Sequence, residues 1–395
     1  MKNTDKTIRD FLQTHFLRRF LLYYLPFLVV LTPFLMWLLW YLTPLQKKYI
    51  VIIDKTVATK QYFEHKSLWW VLTHQRIVQP NGRRYLLSQD YFGFFPRADK
   101  KFTISDLNNF NTGGLDSIAK FSSAVYYTDT YGVYYNEWYT DKNLQEHSGI
   151  LYGGLDDHDI YLLKQMKRFG KLIIGEFNFM ATPTSAARRD TIQNEFGLTW
   201  SGWAGRCFDS LDSLQNPELP KWVTRLYRQQ HNGLYPFHKN GIVFVHDDGT
   251  IVILETKKEL TFNFPMIRTN AEICMEYQLP PSIIYPYWFD ITYSDSRNEQ
   301  IGYYEVFTTP RGDSILQHYK IPNKFPAGFR HNTDYSFYYF CGDWTDCPVG
   351  NISPYLKGSP FFKSLLFNIT DNYDRRRFFW TYYRPLISKI VSDGE

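Results

Sequence analysis

The pattern of apolar positions begins with one long run near the N-terminus. Residues 20–43 (FLLYYLPFLVVLTPFLMWLLWYLT) carry no formal charge. As a helix this run would be roughly 36 Å long, enough to cross the roughly 30 Å hydrocarbon core of a bilayer. Aromatic residues lie toward both of its ends, and no small-residue cleavage site follows it. The run therefore predicts an uncleaved single-pass anchor; a buried core helix and a cleaved signal peptide are the alternatives.

Beyond the anchor, short apolar runs alternate with segments of helical periodicity. Continuous apolar runs of this length are typical of buried parallel strands. They lie at 49–54 (YIVIID), 124–128 (AVYYT), 149–152 (GILY) and 171–176 (KLIIGE). The segments that suit helices lie at 66–78, 157–169 and 185–196. This β-α-β alternation predicts an α/β fold with an open, mostly parallel sheet.

The pattern changes after residue 232, where strands joined by tight turns replace the alternation. Residues 241–246 and 251–255 flank a DDGT turn and predict a hairpin. A second strand pair is expected at 288–293 and 302–307. We therefore expect an antiparallel β insertion within the α/β fold.

The chain is expected to divide into five segments. They are a basic tail (1–19), the anchor (20–43), an α/β domain (48–232), a β-rich insertion (233–324) and a C-terminal completion of the α/β domain (325–395). The last segment should supply a core strand at 335–340 (YSFYYF), a helical stretch at 355–367 and a closing helix at 377–390. One α/β domain that carries an insertion is the simplest architecture with this order of elements.

The net charge of +5 belongs to the flanks of the anchor. Lys and Arg number 44 and Asp and Glu 39, and residues 1–48 hold seven of the former and two of the latter. The rest of the chain has 37 of each sign, so we expect no nucleic-acid partner. Five basic residues precede the anchor. This weak bias favours a cytoplasmic N-terminus and an extracytoplasmic C-terminal domain at the inner (plasma) membrane.

Polar and aromatic residues follow several of the predicted strands. The carboxyl ends of parallel strands meet at one edge of a sheet, where ligands bind in open α/β folds. The residues predicted to line this edge are Asp54, Asp129, Tyr131, Asp156, Glu176, Asn178 and Asp343. Acids and aromatic rings at one edge suit a ligand rich in hydroxyl groups. The alternative is that each polar residue merely ends its strand and caps the next segment of the chain.

Residues 199–209 (TWSGWAGRCFD) predict a loop that contributes to ligand binding. Trp200 or Trp203 could stack on a sugar face, and Arg206 could bind an anionic or hydroxyl group. A packed loop in which Arg206 has an internal partner is the alternative. We expect no metal and no cofactor, because 156–159 (DDHD) suit a helix N-cap and no P-loop or dinucleotide motif is present.

Three segments carry a resemblance to a known superfamily: 150–155 (ILYGGL), 171–179 (KLIIGEFNF) and 338–343 (YYFCGD). Their order, across 50–213 and 325–390, resembles the class I glutamine amidotransferase-like superfamily with its flavodoxin-like sheet, including the trehalose-utilisation-type members. The whole chain also resembles membrane-anchored bacterial envelope proteins. The resemblance implies a nucleophilic Cys after the strand at 172–175, but Phe177 or Glu176 occupies that position. No His-x-Glu pair stands late in the chain, so glutamine hydrolysis is not expected.

These observations favour a function other than catalysis. The leading hypothesis is a membrane-anchored, catalytically inactive amidotransferase-like domain that binds a carbohydrate or a protein partner. It would act as an accessory subunit of envelope polysaccharide synthesis or export. The first alternative is an enzyme that acts on envelope glycans through Glu176, Asp129 and Asp343. The second is a structural subunit of a larger membrane complex.

Overall fold

The computed structural model describes residues 20–140 and 148–393. The expected basic tail at 1–19 therefore lies outside the described residues. Helix α1 (Leu25–Leu42) follows a π-helical turn at Phe20–Tyr24. Among the described residues, it lies in the one helix that is long and apolar enough to cross a membrane, by length and composition.

The described part of the chain contains eighteen strands and eleven α-helices. The strands are β1 (Gln46–Lys47), β2 (Ile50–Asp54), β3 (Ile77–Val78), β4 (Phe92–Pro96), β5 (Phe102–Ser105), β6 (Ala124–Asp129), β7 (Val133–Tyr134), β8 (Ile150–Tyr152), β9 (Leu172–Gly175), β10 (Leu198–Phe208), β11 (Gly241–His246), β12 (Ile251–Glu255), β13 (Met266–Thr269), β14 (Ser282–Ile284), β15 (Phe289–Ser294), β16 (Glu299–Glu305), β17 (Lys324–Asn332) and β18 (Ser336–Phe340). The helices after α1 are α2 (Phe63–His74), α3 (Thr112–Phe121), α4 (Tyr135–Thr140), α5 (Asp157–Arg168), α6 (Ala186–Phe196), α7 (Lys221–Gln230), α8 (Ala271–Tyr277), α9 (Pro310–His318), α10 (Arg375–Phe378) and α11 (Arg384–Asp393).

Ten strands form one large sheet in the order β14-β13-β16-β17-β18-β9-β6-β2-β4-β5. The five strands from β18 to β4 in this order are parallel. The pairings on either side of them are antiparallel. The sheet is therefore mixed, and the prediction of a mostly parallel sheet holds only for its central strands.

The sheet is mixed because antiparallel strands that the sequence pattern did not assign to it pair with the edge of the parallel strands. Strand β2 is buried along its whole length, as its continuous apolar sequence indicates. Strand β16 (EQIGYYE) is only partly buried. Because its ends are polar, its sequence does not have the continuous apolar pattern of the central strands. Strands β13, β14 and β16 all come from residues 233–324 and join the large sheet directly. The division of the chain into domains stays a prediction.

Strands β10, β11, β12 and β15 form a separate antiparallel sheet in the order β12-β11-β10-β15. The hairpin of β11 and β12 confirms the expected turn. Residues 199–209 are not a loop, because nearly all of them belong to β10, which pairs with β11 and β15. The runs at 288–293 and 302–307 do not pair with each other: β15 joins β10, and β16 joins β13 and β17.

Two further expectations are corrected by the local backbone. Residues 149–152 do not add a strand to the large sheet, because β8 pairs only with the two-residue strand β7. Residues 355–367 do not form an α-helix. Short 3₁₀ turns occur there instead, at Ser353–Tyr355 and Ser359–Leu365. Proline lies in the first turn of each, and the intervening Gly358 has a φ of 87°, which prevents one continuous helix.

Large aromatic side chains pack helix α2 and the closing helices against the parallel strands. The ring of Trp70 contacts the ring of Phe379 edge-on, with centroids 5.2 Å apart. The ring of Trp344 stacks on Phe340 at the end of β18, with centroids 4.4 Å apart. Because such rings each bury a large apolar area, these contacts contribute strongly to the core.

Candidate functional site

Four acidic side chains follow the parallel strands at one edge of the large sheet. Asp54 ends β2 and is the register partner of Asp129, which ends β6. Glu176 directly follows β9, and Asp343 lies three residues after β18. Parallel pairing of these strands therefore brings the four residues to the same edge.

Asp54 is fully buried and forms a pair with His65 of helix α2. The backbone N–H of Thr56 donates to its Oδ1 (3.1 Å), and Nδ1 of His65 lies 2.5 Å from its Oδ2. The other ring nitrogen of His65, Nε2, lies 2.8 Å from the carbonyl oxygen of Leu87. A carbonyl oxygen can only accept, so Nε2 of His65 donates to Leu87 and the His65 ring is held between Leu87 and Asp54.

Two further carboxyls have raised pKa values because they are partly buried near other acids. Burial and the negative charge of Asp54 raise the pKa of Glu64 well above its ordinary value. The Oε2 atom of Glu64 is buried and has no hydrogen-bond partner. Burial and the charge of Asp346 likewise raise the pKa of Asp343 well above its ordinary value. Burial therefore favours the protonated form of both carboxyls, and a protonated carboxyl presents an O–H donor beside a carbonyl acceptor.

Asp129 lies between these groups and is partly buried. Burial raises the pKa of its carboxyl to about 7, against the effect of the Tyr131 backbone N–H, which donates to Oδ1 over 2.7 Å. The side chains of Thr56 and Asn178 also hydrogen-bond to this carboxyl. A group with this pKa exchanges its proton near physiological pH. Asp54, Glu64, Asp129 and Asp343 are called the rim cluster below.

Tyr131 and Asn178, two of the expected ligand-binding residues, flank Asp129. The Tyr131 ring lies 4.9 Å from the ring of Tyr134. The Asn178 backbone carbonyl accepts a hydrogen bond from the Thr130 hydroxyl over 2.7 Å. The structure thus brings both residues to the edge predicted for them, while their ligand-binding role stays a prediction.

Glu176 differs from the rim cluster because it is enclosed. Its side chain is fully buried. Oε2 accepts hydrogen bonds from the N–H of Trp344 (2.8 Å) and from the N–H and hydroxyl of Thr345 (2.9 and 3.0 Å), and Oε1 accepts one from Tyr126. Burial raises its pKa to about 8 despite these donors. Glu176 therefore ties the turn after β9 to the segment after β18, and this position favours a structural role.

The turn after β9 holds no nucleophile. Its left-handed residue is Asn178, with a φ of 66°, rather than Glu176 or Phe177. No helix follows the turn directly, because α6 begins at Ala186. Cys207 lies on β10, where burial raises its pKa to about 12. Cys341 and Cys347 are buried free thiols, so neither provides a thiolate at this edge.

Trp200 and Trp203 are packed against other side chains of the protein. The guanidinium of Arg189 lies over the Trp200 ring, 4.5 Å from its centroid. Trp203 is 7% exposed, and its ring lies 4.8 Å from that of His246. The structure does not bring these two residues to the rim cluster through any contact that it records, and their sugar-stacking role stays a prediction.

Arg206, in contrast, lies on β10 within electrostatic range of Asp346. It pairs with Glu218 rather than with the neighbouring Asp209 of the sequence-based alternative. Burial and the charge of Arg375 lower its pKa, and its Nε atom is buried without a hydrogen-bond partner. Arg375 donates from Nη1 to Asp346 over 2.5 Å. Two guanidinium groups therefore lie beside the acids that follow β18.

A second group of acids at the same edge contacts a buried lysine. The ammonium of Lys55 lies 3.1 Å from Asp156 and 2.5 Å from Asp159, and it donates to the carbonyl oxygen of Gly154. Asp156 also accepts hydrogen bonds from the N–H groups of His158 and Asp159, which confirms the expected N-cap of helix α5. Lys55, Asp156 and Asp159 are called the Lys55 cluster below.

Sequence reasoning missed four residues of this region: Glu64, His65, Asp346 and Arg375. Glu64 and His65 fall just before the helix predicted at 66–78, whereas α2 begins at Phe63. Asp346 lies three residues after Asp343, a spacing that the sequence displays. The contact of Arg375 with Asp346 joins the closing helices to this edge and has no local signal.

The described residues include no group of three or more His, Cys, Asp or Glu side chains that could hold a metal ion. No protein-family model matches the chain, and no curated protein matches it. Among solved structures, a ThuA-like protein from Bacteroides uniformis ATCC 8492 is 10% identical with a TM-score of 0.33, covering 75% of this chain and 83% of that one. ThuA-like proteins are the trehalose-utilisation type named above. A similarity of this extent carries no argument about function.

Proposed function

We propose that the rim cluster binds a neutral carbohydrate without acting on it. The observation that carries the proposal is the convergence of the four acids of the rim cluster at one edge of the sheet, where burial raises the pKa values of three of them. A protonated carboxyl both donates and accepts a hydrogen bond, as a sugar hydroxyl does. Partial exposure of Glu64, Asp129 and Asp343 leaves these groups within reach of a ligand.

Binding rather than catalysis is favoured by the way several acids are held. Asp54, Asp129 and Glu176 each accept a hydrogen bond from a backbone N–H. Such bonds fix a carboxyl in one orientation, which suits recognition of a hydroxyl group. The turn after β9 also lacks the cysteine on which amidotransferase chemistry depends.

The same proposal places the protein at a membrane through residues 20–43. A helix of this length and composition supports a single-pass anchor, and the charges before it support a cytoplasmic N-terminus with the folded domain on the periplasmic side. We assign the protein an accessory role beside envelope polysaccharide synthesis or export, because hydroxyl-rich ligands are abundant there. A protein partner at the same edge is the alternative ligand.

Titration calorimetry on the full chain in detergent tests the proposal, with malto-, cello- and chito-oligosaccharides as probes. We expect Asp343→Ala and Asp129→Ala each to weaken binding about tenfold, because each removes a hydrogen bond of about 1.4 kcal/mol. Asp343→Asn should retain most of the affinity, since an amide also donates and accepts. The control Asp248→Ala alters an exposed hairpin acid and should change nothing.

Two results would contradict this function. Absence of binding to every oligosaccharide would favour a protein partner instead. Equal losses in Asp343→Asn and Asp343→Ala would show that the ligand needs an ionised carboxylate, and a neutral sugar would then be the wrong class.

A second candidate function is an enzyme that hydrolyses envelope glycans. The observation in its favour is the pKa of about 7 at the partly exposed Asp129, a value suited to general acid or base catalysis. Release of reducing sugar from the same oligosaccharides, abolished by Asp129→Asn and unaffected by Asp248→Asn, would establish it. No release at any pH near 7 would exclude these substrates.

A further inference from the structure

Residues 351–369 form a segment that joins the folded domain to helix α1, and they are called the apolar loop below. The backbone N–H of Lys357 donates to the carbonyl oxygen of Met36 over 3.0 Å. The ring of Tyr355 meets the ring of Trp40 edge-on, with centroids 4.9 Å apart. The apolar loop is therefore attached to the side of the helix that is apolar enough to cross a membrane.

The point of attachment lies well inside this helix rather than at its end. Met36 stands six residues before Leu42, the last residue of α1, which is about 9 Å along the helix axis. The helix from Phe20 to Leu42 is about 34 Å long, so a hydrocarbon core of about 30 Å leaves only about 4 Å of it outside. The carbonyl of Met36 then lies about 5 Å or more inside the hydrocarbon core. The backbone N–H of Lys357, which is hydrogen-bonded to it, must lie at the same depth.

The apolar loop has the composition of a segment that enters a lipid interface. It contains no Asp or Glu, and its charged residues are Lys357 and Lys363. Five apolar side chains are exposed: Ile352 (76%), Phe361 (85%), Phe362 (40%), Leu365 (80%) and Ile369 (59%). Apolar side chains enter the boundary between head groups and acyl chains, while lysines extend to anionic head groups.

We propose that the apolar loop inserts into the bilayer leaflet next to the folded domain, as a second membrane contact beside α1. This inference rests on the proposed membrane anchoring. Insertion would cover the exposed rings and aliphatic groups, and attachment at both places would hold the domain in one orientation. Helix α2 begins beside the rim cluster and ends near Trp40, whose Nε1 donates to the carbonyl oxygen of Thr73 (3.0 Å). The rim cluster therefore lies at the opposite end of α2 from the membrane contact and would face away from the membrane.

Depth-dependent fluorescence quenching tests the insertion on the full chain. The protein carries Cys274→Ser, because Cys274 is partly exposed and the other three cysteines are buried. Single cysteines at Phe361 or Leu365 are labelled with bimane, and the protein is reconstituted in phosphatidylcholine–phosphatidylglycerol vesicles with brominated acyl chains. The high exposure of both side chains means that neither substitution removes core packing.

Two matched positions control the measurement. Val30→Cys reports on the middle of the apolar run at 20–43, where the side chain is 75% exposed. Leu214→Cys is an equally apolar position, 94% exposed, beyond the end of β10. We expect quenching at Phe361→Cys and Leu365→Cys to reach about half of that at Val30→Cys, with none at Leu214→Cys.

The outcomes separate the inference from the anchoring on which it rests. Quenching at Val30→Cys with none at Phe361→Cys and Leu365→Cys would overturn the insertion and leave the anchor in place. An absence of quenching at Val30→Cys would overturn the anchor and the insertion together. Quenching at Leu214→Cys as strong as at Phe361→Cys would show a general adsorption of the domain, which also overturns a specific loop insertion.

Discussion

Two groups of acids at the same edge of the large sheet are neutralised in different ways. In the Lys55 cluster, Asp156 and Asp159 contact a lysine that is itself buried. In the rim cluster, burial and neighbouring acids raise the pKa values of Glu64 and Asp343 well above the ordinary range, which favours their protonated forms. The two groups thus resemble each other in composition and differ in what compensates the charge.

The difference separates a structural site from a candidate binding site. The Lys55 ammonium is surrounded by the carboxyls and a backbone carbonyl of its own chain, and its side chain is 2% exposed. A carboxyl that holds its proton keeps a donor and an acceptor for another molecule. A group of acids in a sequence therefore indicates a ligand site when it includes carboxyls that no cation of the fold contacts directly.

The largest expected effect is the loss of stability in Lys55→Met. The substitution leaves Asp159 buried without its cation, which costs about 3–5 kcal/mol when one partner of a buried ion pair is removed. Urea unfolding followed by tryptophan fluorescence measures the change in the free energy of unfolding. The control Lys60→Met alters an exposed lysine and should change stability by less than about 0.5 kcal/mol.

A loss below about 1 kcal/mol in Lys55→Met would break the comparison. It would mean that Asp159 takes up a proton when the ammonium is absent. Both clusters would then be neutralised by protonation, and the distinction between them would not hold.

A second effect is expected on the pH dependence of stability in Asp129→Asn. The folded pKa of about 7 exceeds the ordinary value of 3.8, so the folded state binds more protons than the unfolded state between these values. The stability that Asp129 contributes is therefore complete below the lower value and is lost as the pH rises through the upper one. Between about pH 4 and 8, wild-type stability should fall by about 4 kcal/mol more than that of Asp129→Asn, at about 1.4 kcal/mol per unit of pKa.

Urea titrations of both proteins at several pH values in this range measure the difference. Parallel pH profiles would show that Asp129 is ionised throughout, and the rim cluster would then carry a negative charge. The matched variant Asp248→Asn, at an exposed hairpin acid, should follow the wild-type profile above about pH 5.

The sequence pattern predicted four of the five parallel strands, missing β4, and it predicted α1, α2, α5, α6 and the closing helices. Strands β2, β6 and β9 are buried runs of apolar residues, and α5 has both an apolar face and an acidic cap. Strand β10 escaped prediction because Gly202 and Gly205 suggested a loop, whereas Gly205 lies where a side chain would collide with Phe289. Long-range pairing, not local preference, makes this segment a strand.

The candidate site was predictable only as far as strand ends reveal it. Asp54, Asp129 and Asp343 follow apolar runs that the sequence displays, so their convergence could be expected. Glu176 met the same criterion but lies beneath the segment after β18, which donates three hydrogen bonds to it. Arg375 comes from far along the chain and carries no local signal. Burial and distant partners therefore decide which acid is accessible.

The smallest expected effect, and the sharpest test of the rim cluster, is Glu64→Gln. Glutamine has the shape of a protonated glutamate and needs no proton, so it should replace a neutral Glu64 with a stability change below about 0.5 kcal/mol near pH 5. Urea unfolding at about pH 5 and 7 provides the measurement, with the more exposed Glu299→Gln as a control. A destabilisation above about 1.5 kcal/mol at both pH values would mean that the neighbours of Glu64 require its negative charge. The buried Oε2 would then accept from a donor that binds there, and the rim would have to be reconsidered as an ionised site for a cationic ligand.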